Sequence, residues 1–254
     1  MRKCYTRPCN FYYGNYAKKL VKNKKAYFLG GNLNIAFDQL EIFRREKNGK
    51  VFSNVYPVTI IKTLNKNTKN QVRIDLKNIT SKRKSICGLK FDNPQIMGVL
   101  NVTPDSFSDG GLFLDEQKAN NQIKLMLNSG AKIIDVGGES TRPGSKTITE
   151  SDEWMRINAI IKEFKKNFSD STLSLDTRKS KVMSKGIKNG VDIINDVSGL
   201  NFDKKSFDVV KSKRIPLILH HMQGTPNTMQ QKPTYDDVLL DIFDFFESKI
   251  NFFI

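Results

Sequence analysis

Beyond Pro94 the chain alternates short apolar runs with helix-like segments, and this alternation limits the folds that it can adopt. Each apolar run is rich in Val, Ile and Leu and is followed by a polar or glycine-rich turn, which is typical of strands. The five runs lie at Ile96–Val102, Lys132–Val136, Thr172–Leu175, Asp192–Asn195 and Pro216–Leu219. Strands that alternate with helices imply right-handed β-α-β units and a parallel sheet.

The segments between these runs carry apolar residues at helical spacing. We predict helices over Asp115–Asn128 and Ser151–Phe168, with Ser151 and Asp152 as candidate amino-terminal caps. Three more helices should follow the third, fourth and fifth strands, the last of them over Tyr235–Ile250. Because the first run is so apolar, we expect its strand to be covered on both faces.

Each predicted strand ends in polar residues. These residues are Asn101, Asp135, Asp176, the Asn195–Asp196 pair and the His220–His221 pair. Any one of them would be explained most simply as a helix cap, a turn residue or a hydrogen-bonded core histidine. Five in succession favour a (β/α) barrel, because barrel strands converge at one face, whereas the strand ends of an open doubly wound sheet spread along an edge.

Two loops at these strand ends contain groups that suit a ligand. The first opens after Asn101 and contains Asp105, Phe107 and Asp109, whose carboxylate oxygens could help to hold Mg²⁺. The second follows a glycine pair and contains the run Ser140, Thr141, Arg142, Pro143. Arg142 offers planar donors that suit phosphate, so the two loops together predict a metal-assisted pyrophosphate site. The second loop is neither a Walker A loop nor a dinucleotide fingerprint.

The net charge of +16 belongs to the first third of the chain. Residues 1–94 contain 21 Lys and Arg against 5 Asp and Glu, whereas the remainder contains 21 of each kind. A basic segment can bind nucleic acid or an anionic surface. No helix-turn-helix, zinc-finger or RNA-binding signature accompanies the charge, so a solvated surface is favoured and nucleic acid is not expected as a partner.

The first 94 residues predict a small appended α+β module. Strands are expected at Tyr27–Gly31 and Val58–Leu64, a helix at Phe37–Lys47 and a polar link at Asn65–Asn70. The three cysteines have no paired spacing, so we expect reduced thiols and no disulfide or zinc site. With no membrane-length apolar stretch and no secretory signal, the expected location is the cytoplasm.

Five runs resemble dihydropteroate synthase, a family of the folate pathway. They are NVTPDSFSDGG, DVGGESTRPGS, SLDT, INDVSG and HMQGTP, in this order and spacing. The resemblance covers Gln95 to about Ile250. Before it, YTRPCNFYYG and GGNLNIAFDQLEIFRRE are more weakly similar to the amino-terminal extension of some bacterial members. The resemblance implies a pterin-binding (β/α)8 TIM barrel over residues 95–254, after an extension over residues 1–94.

The implied activity is that of a transferase. It would condense 4-aminobenzoate with 6-hydroxymethyl-7,8-dihydropterin diphosphate, using Mg²⁺, to give 7,8-dihydropteroate and pyrophosphate. The partners would be these small-molecule substrates and, for a complete barrel, a second copy in a homodimer. No membrane partner is implied.

The resemblance also assigns roles to individual residues. Asn101 would bind Mg²⁺, and Ser140, Thr141 and Arg142 would hold the diphosphate. Asp176 and Asn195 would hydrogen-bond the pterin, while Met222 would line its pocket. Phe107 and Pro143 would cover 4-aminobenzoate in a closed state steadied by Asp105 and Asp109. His220, where a methionine is usual, is interpreted as strand-end packing.

The family has eight strand-helix units, and we count five before Ile254. We therefore expect little or no synthase activity from this polypeptide alone. Two alternatives stay open. The chain could be an inactive pterin-binding or regulatory fragment, or its basic third could be a nucleic-acid-binding module fused to a decayed barrel.

Overall fold

The computed structural model describes residues 4–103, 112–140, 146–225 and 228–253. The chain divides into two compact units. The first contains residues up to Lys84 together with Tyr235–Phe252, and the second contains Ser85–Thr234.

The first unit is built on a four-stranded antiparallel sheet. Its strands are β1 (Cys4–Tyr13), β2 (Tyr27–Leu29), β3 (Asn32–Arg45) and β4 (Val51–Pro57). The long strand β3 pairs with each of the other three. Helix α1 (Gly14–Lys22), a 3-10 helix (Val58–Thr63) and helix α2 (Lys66–Thr80) complete it. Val72 and Leu76 of α2 form one core with Phe37 and Leu40 of β3.

Three predictions for this region are wrong, although the predicted strand at Tyr27 is confirmed. The predicted helix Phe37–Lys47 lies mostly within β3, and the predicted strand Val58–Leu64 is the 3-10 helix. The predicted link Asn65–Asn70 begins α2, where the side chain of Asn65 accepts a bond from the Thr68 amide at 3.0 Å. The three-residue apolar spacing near Phe37 suits a helix, but neighbouring strands on both sides of β3 override that local preference.

The second unit contains a five-stranded parallel sheet in sequential order. Its strands are β5 (Met97–Asn101), β6 (Ile133–Gly137), β7 (Thr172–Asp176), β8 (Ile193–Asp196) and β9 (Leu217–Leu219). The helices between them are α3 (Leu112–Asn128), α4 (Glu150–Asn167), α5 (Ser180–Lys188) and α6 (Ser206–Lys213). The five predicted strands and their alternation with helices are confirmed.

The two faces of this sheet differ in chemistry because successive side chains of a strand point to opposite faces. Leu100, Val136, Leu175 and Ile194 share one buried core with residues of the four helices. The opposite face carries the polar residues described below. Val99 on β5 is 57% exposed, so the expectation that the first strand is covered on both faces is wrong.

Helix α4 is capped two residues before the predicted cap Ser151. Thr149 is its N-cap residue, and the Thr149 hydroxyl accepts a bond from the Asp152 amide at 3.1 Å. Ser151 and Asp152, the predicted caps, lie inside the first turn. An acidic side chain there is favourable because it meets the positive end of the helix dipole.

The last helix, α7 (Val238–Phe253), belongs almost entirely to the first unit. Leu240 is buried against Tyr5 and Phe43. The Arg45 guanidinium lies 2.6 Å from Asp241 and 2.8 Å from Asp244, which ties this helix to the end of β3. None of the helices in the described ranges has the length and apolarity needed to cross a membrane.

Candidate functional site

Polar residues line up across the carboxyl ends of the parallel strands. Asn101 of β5 is in register with Gly137 of β6, Gly137 with Asp176 of β7, and Asp176 with Asn195 of β8. Residues in register share a face of the sheet and are separated by about 4.8 Å per strand. Asn101, Asp176 and Asn195 therefore form one row, as the predicted convergence of strand ends requires.

The amide of Asn195 is held from two sides. Its Nδ2 donates to Asp135 Oδ2 at 2.9 Å, and its Oδ1 lies 2.7 Å from Nε2 of His220. Because Oδ1 can only accept, Nε2 of His220 carries the proton in this arrangement. Both neighbours fix the orientation of the amide plane before any ligand binds.

His220 therefore does more than the strand-end packing that its sequence position suggests. Asp135, too, holds Asn195 in place, and the sequence identifies it only as a polar strand end. Its Oδ1 and the nearby Ser174 Oγ are buried, and neither makes a hydrogen bond of good geometry among the described residues, although Ser174 lies close enough to lower the pKa of Asp135. Buried polar atoms without such a bond are uncommon, so this face is a candidate site for a polar ligand.

The carboxyl group of Asp176 has a strongly perturbed pKa. Burial, and after it the charges of Asp135 and Glu153, together raise the pKa of Asp176 from 3.8 to about 8. Asp176 is therefore largely protonated at neutral pH. Burial also raises the pKa of Asp135. Carboxyl groups perturbed in this way are common at functional sites.

Asp196, although next to Asn195, has a structural role. Its Oδ1 accepts bonds from the amide and the hydroxyl of Ser198 at 2.8 and 2.7 Å, and its Oδ2 accepts one from the Leu200 amide at 3.2 Å. These bonds shape the turn that follows β8. Such a turn is the simplest role of an aspartate at a strand end.

A buried ionic cluster lies beside the start of the second loop. Glu139 accepts two bonds from Arg178, at 2.9 and 3.2 Å, and lies 3.1 Å from Lys179 Nζ. Lys179 also pairs with the buried Glu153 at 2.5 Å. The cluster thus balances two carboxylates with two cations, and the Arg178 guanidinium stacks 3.9 Å from the ring centroid of Phe202.

The cluster ties together the two ends of the second loop. Glu139 precedes Ser140, and its Oε1 accepts a bond from the Ile148 amide at 3.1 Å. Arg178 Nη2 also donates to the Thr147 hydroxyl at 3.1 Å. Burial would raise the pKa of Glu139, but the hydrogen bonds from Arg178 and Ile148 outweigh it and lower that pKa. Glu139 therefore stays ionised and anchors the loop.

The sequence analysis did not identify this cluster. Its only local signal is the pair of basic residues Arg178 and Lys179, which lie two and three residues after Asp176 at the end of the third strand of the parallel sheet, where a helix cap would be usual. Their acidic partners lie 39 and 26 residues earlier in the chain.

Some predicted site residues lie in the described part of the chain. Asn101, Asp176 and Asn195 come together in the row, whereas Ser140 is half-buried just after β6 and Met222 is half-buried just after β9. The others lie outside the described residues, and their roles stay predictions. They are Asp105, Phe107, Asp109, Thr141, Arg142 and Pro143.

The exposed Asn101 side chain offers one oxygen at the end of β5. Mg²⁺ prefers oxygen ligands and is often held by one or two protein groups together with substrate phosphates and water, so this single donor suits it. The described ranges contain no group of three or more His, Cys, Asp or Glu residues that could hold a metal by themselves. Cys4, Cys9 and Cys87 form no disulfide with one another.

Comparison with known proteins gives consistent results. A family model described as pterin binding enzyme matches residues 97–253. The chain is 40% identical to the dihydropteroate synthase of Haemophilus influenzae over 163 residues, which are 64% of this chain and 58% of that protein. It is 41% identical to the Escherichia coli dihydropteroate synthase over 162 residues, with 64% and 57% covered.

Solved structures of dihydropteroate synthases are also similar to this chain. A Yersinia pestis dihydropteroate synthase in a sulfonamide drug complex has a TM-score of 0.61 and 39% identity, covering 67% of this chain and 62% of that one. A Xanthomonas albilineans dihydropteroate synthase with 4-aminobenzoic acid has a TM-score of 0.58 and 35% identity, covering 66% and 59%. The chain spans 57–58% of the length of the two curated relatives.

Proposed function

This chain belongs to the family of pterin binding enzymes, and we propose that it provides the pterin-binding part of a dihydropteroate synthase. The reaction would join 4-aminobenzoate to 6-hydroxymethyl-7,8-dihydropterin diphosphate and release pyrophosphate. The observation that carries the proposal is the row of Asn101, Asp176 and Asn195 across neighbouring strand ends. Support comes from the similar Xanthomonas albilineans enzymes with 4-aminobenzoic acid and with 7,8-dihydropteroate.

The pterin would bind at the polar face of the parallel sheet. A pterin presents N–H donors and ring acceptors along one edge, and Asn195 offers a donor and an acceptor in a fixed plane. Asp176 would accept hydrogen bonds from the pterin N–H groups as a carboxylate. Because its pKa is raised to about 8, binding at neutral pH would release the Asp176 proton. Met222 would line the same pocket.

The diphosphate would lie between the two loops. Ser140, Thr141 and Arg142 would bind its oxygens, and Asn101 would hold Mg²⁺. The bound Mg²⁺ would supply positive charge to the diphosphate oxygens. The ionic cluster around Glu139 supports this arrangement, because it anchors the residues on either side of the second loop.

Bond formation would occur at the methylene carbon that carries the diphosphate. The amine nitrogen of 4-aminobenzoate would attack this carbon, the carbon–oxygen bond would break toward pyrophosphate, and the amine would lose a proton. Phe107 and Pro143 would exclude water above the 4-aminobenzoate ring, and Asp105 and Asp109 would steady the closed loops. We also propose that residues 1–94 are an extension appended to the pterin-binding part and that the complete barrel assembles as a homodimer.

Isothermal titration of the purified chain with dihydropterin diphosphate and Mg²⁺ tests the binding part. Wild type should bind, Asn195→Ala should bind at least tenfold more weakly, and Asp170→Ala, which changes an exposed carboxyl on the same unit, should bind like wild type. Equal binding by folded Asn195→Ala would refute the site. Turnover is measured as pyrophosphate release after 4-aminobenzoate is added. Binding without turnover would leave this chain with a pterin-binding role only.

A further inference from the structure

Three aromatic rings lie side by side across the antiparallel sheet of the first unit. Phe37 on the central strand β3 is paired with Phe11 of β1 on one side and with Tyr27 of β2 on the other. Directly paired residues share a face, and the ring centroids are 6.5 and 6.3 Å from that of Phe37. Phe37 is fully buried, but Phe11 is 40% exposed and Tyr27 is 43% exposed.

The exposed surface continues along the same face. Tyr13 lies two residues after Phe11 and is 66% exposed, and Leu33 lies on the same face of β3 and is 60% exposed. We call Phe11, Tyr13, Tyr27 and Leu33 the aromatic face. Helix α1 packs on the opposite side of the sheet, against residues such as Tyr12 and Phe28. Helix α2 packs on the same side as the aromatic face and covers Phe37, but it leaves the four side chains of the aromatic face exposed. Exposed apolar side chains grouped in this way mark interaction surfaces.

Positive charge borders the aromatic face. Lys24 and Lys25 lie three and two residues before Tyr27, which begins β2. Lys82 lies against the turn before Leu33, since a Cβ placed on Gly31 would be 2.7 Å from Lys82 Cβ. The unit, residues 1–84 together with 235–252, contains 21 basic against 9 acidic residues, so as a whole it attracts polyanions.

The nearest acidic residue on β3 is already engaged. Asp38, next to Phe37 in sequence, accepts bonds from Asn10 Nδ2 at 2.9 Å and from the Tyr12 hydroxyl at 3.0 Å. Its carboxylate is therefore held on the side of the sheet where Tyr12 lies. Asp38 therefore does not neutralise the positive charge that borders the aromatic face.

We propose that the aromatic face binds single-stranded nucleic acid, with bases stacked on the exposed rings and phosphates near the bordering lysines. Exposed aromatics on an antiparallel sheet within a basic surface are the general means of binding unpaired bases. A membrane surface is more often met by an amphipathic helix. A second copy of this unit would carry the same positive charge. The proposal is independent of the pterin site.

Fluorescence anisotropy of a labelled 16-nucleotide oligothymidylate and of the matching RNA, titrated with the full chain at low salt, tests the proposal. Tyr13→Ala and Tyr27→Ala should each weaken binding about fivefold or more, the lower range for losing one stacked base. Tyr27→Phe should bind like wild type. Tyr16→Ala is the matched control, because Tyr16 is 57% exposed on α1 and packs against Tyr12 rather than on the aromatic face.

Circular dichroism of each variant should match that of wild type, and a misfolded variant is replaced by the corresponding leucine substitution. Absence of oligonucleotide binding at low salt overturns the proposal. It is also overturned if Tyr13→Ala and Tyr27→Ala bind like wild type, since charge alone would then explain the affinity. Anionic phosphatidylglycerol vesicles serve as the competing ligand. Loss of vesicle binding in these variants with unchanged oligonucleotide binding would assign the face to membranes instead.

Discussion

Replacing Asp176 by Asn should change how the stability of the parallel-sheet unit depends on pH. The pKa of Asp176 rises from 3.8 to about 8 on folding, chiefly because of burial. Between these values the folded chain keeps a proton that the unfolded chain releases. Stability therefore falls as pH rises through this window. Asparagine is neutral in both the folded and the unfolded chain, so the stability of the variant does not fall in this way as pH rises.

The size of the effect follows from the linkage of protons to folding. One unit of pKa shift corresponds to about 1.4 kcal/mol, so a change from about pH 5 to about pH 7 removes at most roughly 2.7 kcal/mol from wild type. Asp176 is partly exposed, and solvent screening reduces this figure. We expect the stability difference between Asp176→Asn and wild type to grow by about 1 to 1.5 kcal/mol over these two pH units, in favour of the variant.

Urea unfolding followed by the fluorescence of Trp154 measures this difference. Trp154 is the only tryptophan of the chain, and it packs against the core of the parallel-sheet unit. Asp170→Asn, which changes an exposed carboxyl of the same unit, is the control and should run parallel to wild type at each pH. If the free energy of unfolding of Asp176→Asn also runs parallel to that of wild type from pH 5 to pH 7, the pKa of Asp176 is not raised in the folded chain and the reasoning fails.

Two further changes test the anchoring of the second loop. Arg178→Met removes the bidentate partner of the buried Glu139 and should lower the free energy of unfolding by about 3 kcal/mol, measured by the same urea assay; a loss below about 1 kcal/mol would contradict it. Gly138→Ala would place a Cβ 2.9 Å from both the Glu153 carbonyl oxygen and Ile157 Cγ2, so it should cost about 1 to 3 kcal/mol by overpacking. Calorimetry should show a lower Tm for this variant, and an unchanged Tm would mean that α4 can move away without cost.

The strands of the parallel-sheet unit could be predicted from the sequence because their signals are local. Each strand is a short apolar run, and each run ends in a residue whose polarity marks the carboxyl end. Once the strands are parallel and in sequential order, Asn101, Asp176 and Asn195 must lie at equivalent heights on one face. The spacing along the chain thus predicted both the sheet and part of the site.

The elements of the antiparallel unit were harder to predict because they depend on pairing between distant segments. Phe37 and Leu40 are spaced as on a helix, and nothing within that segment reveals that β1 and β4 pair with β3 on either side. The energy of those pairings depends on segments far away in sequence. Local preference, worth tenths of a kcal/mol per residue, is then outweighed.

By itself, the sequence determined the alternating architecture, the family and the residues at the strand ends. Only the tertiary structure decided which of those side chains hold one another in place by hydrogen bonds and ion pairs. Asn195 is held by Asp135, 60 residues earlier, and Glu139 is neutralised by Arg178, 39 residues later. A buried charge or amide is stable only when a partner meets it at hydrogen-bond distance, and that distance is set by packing rather than by order along the chain.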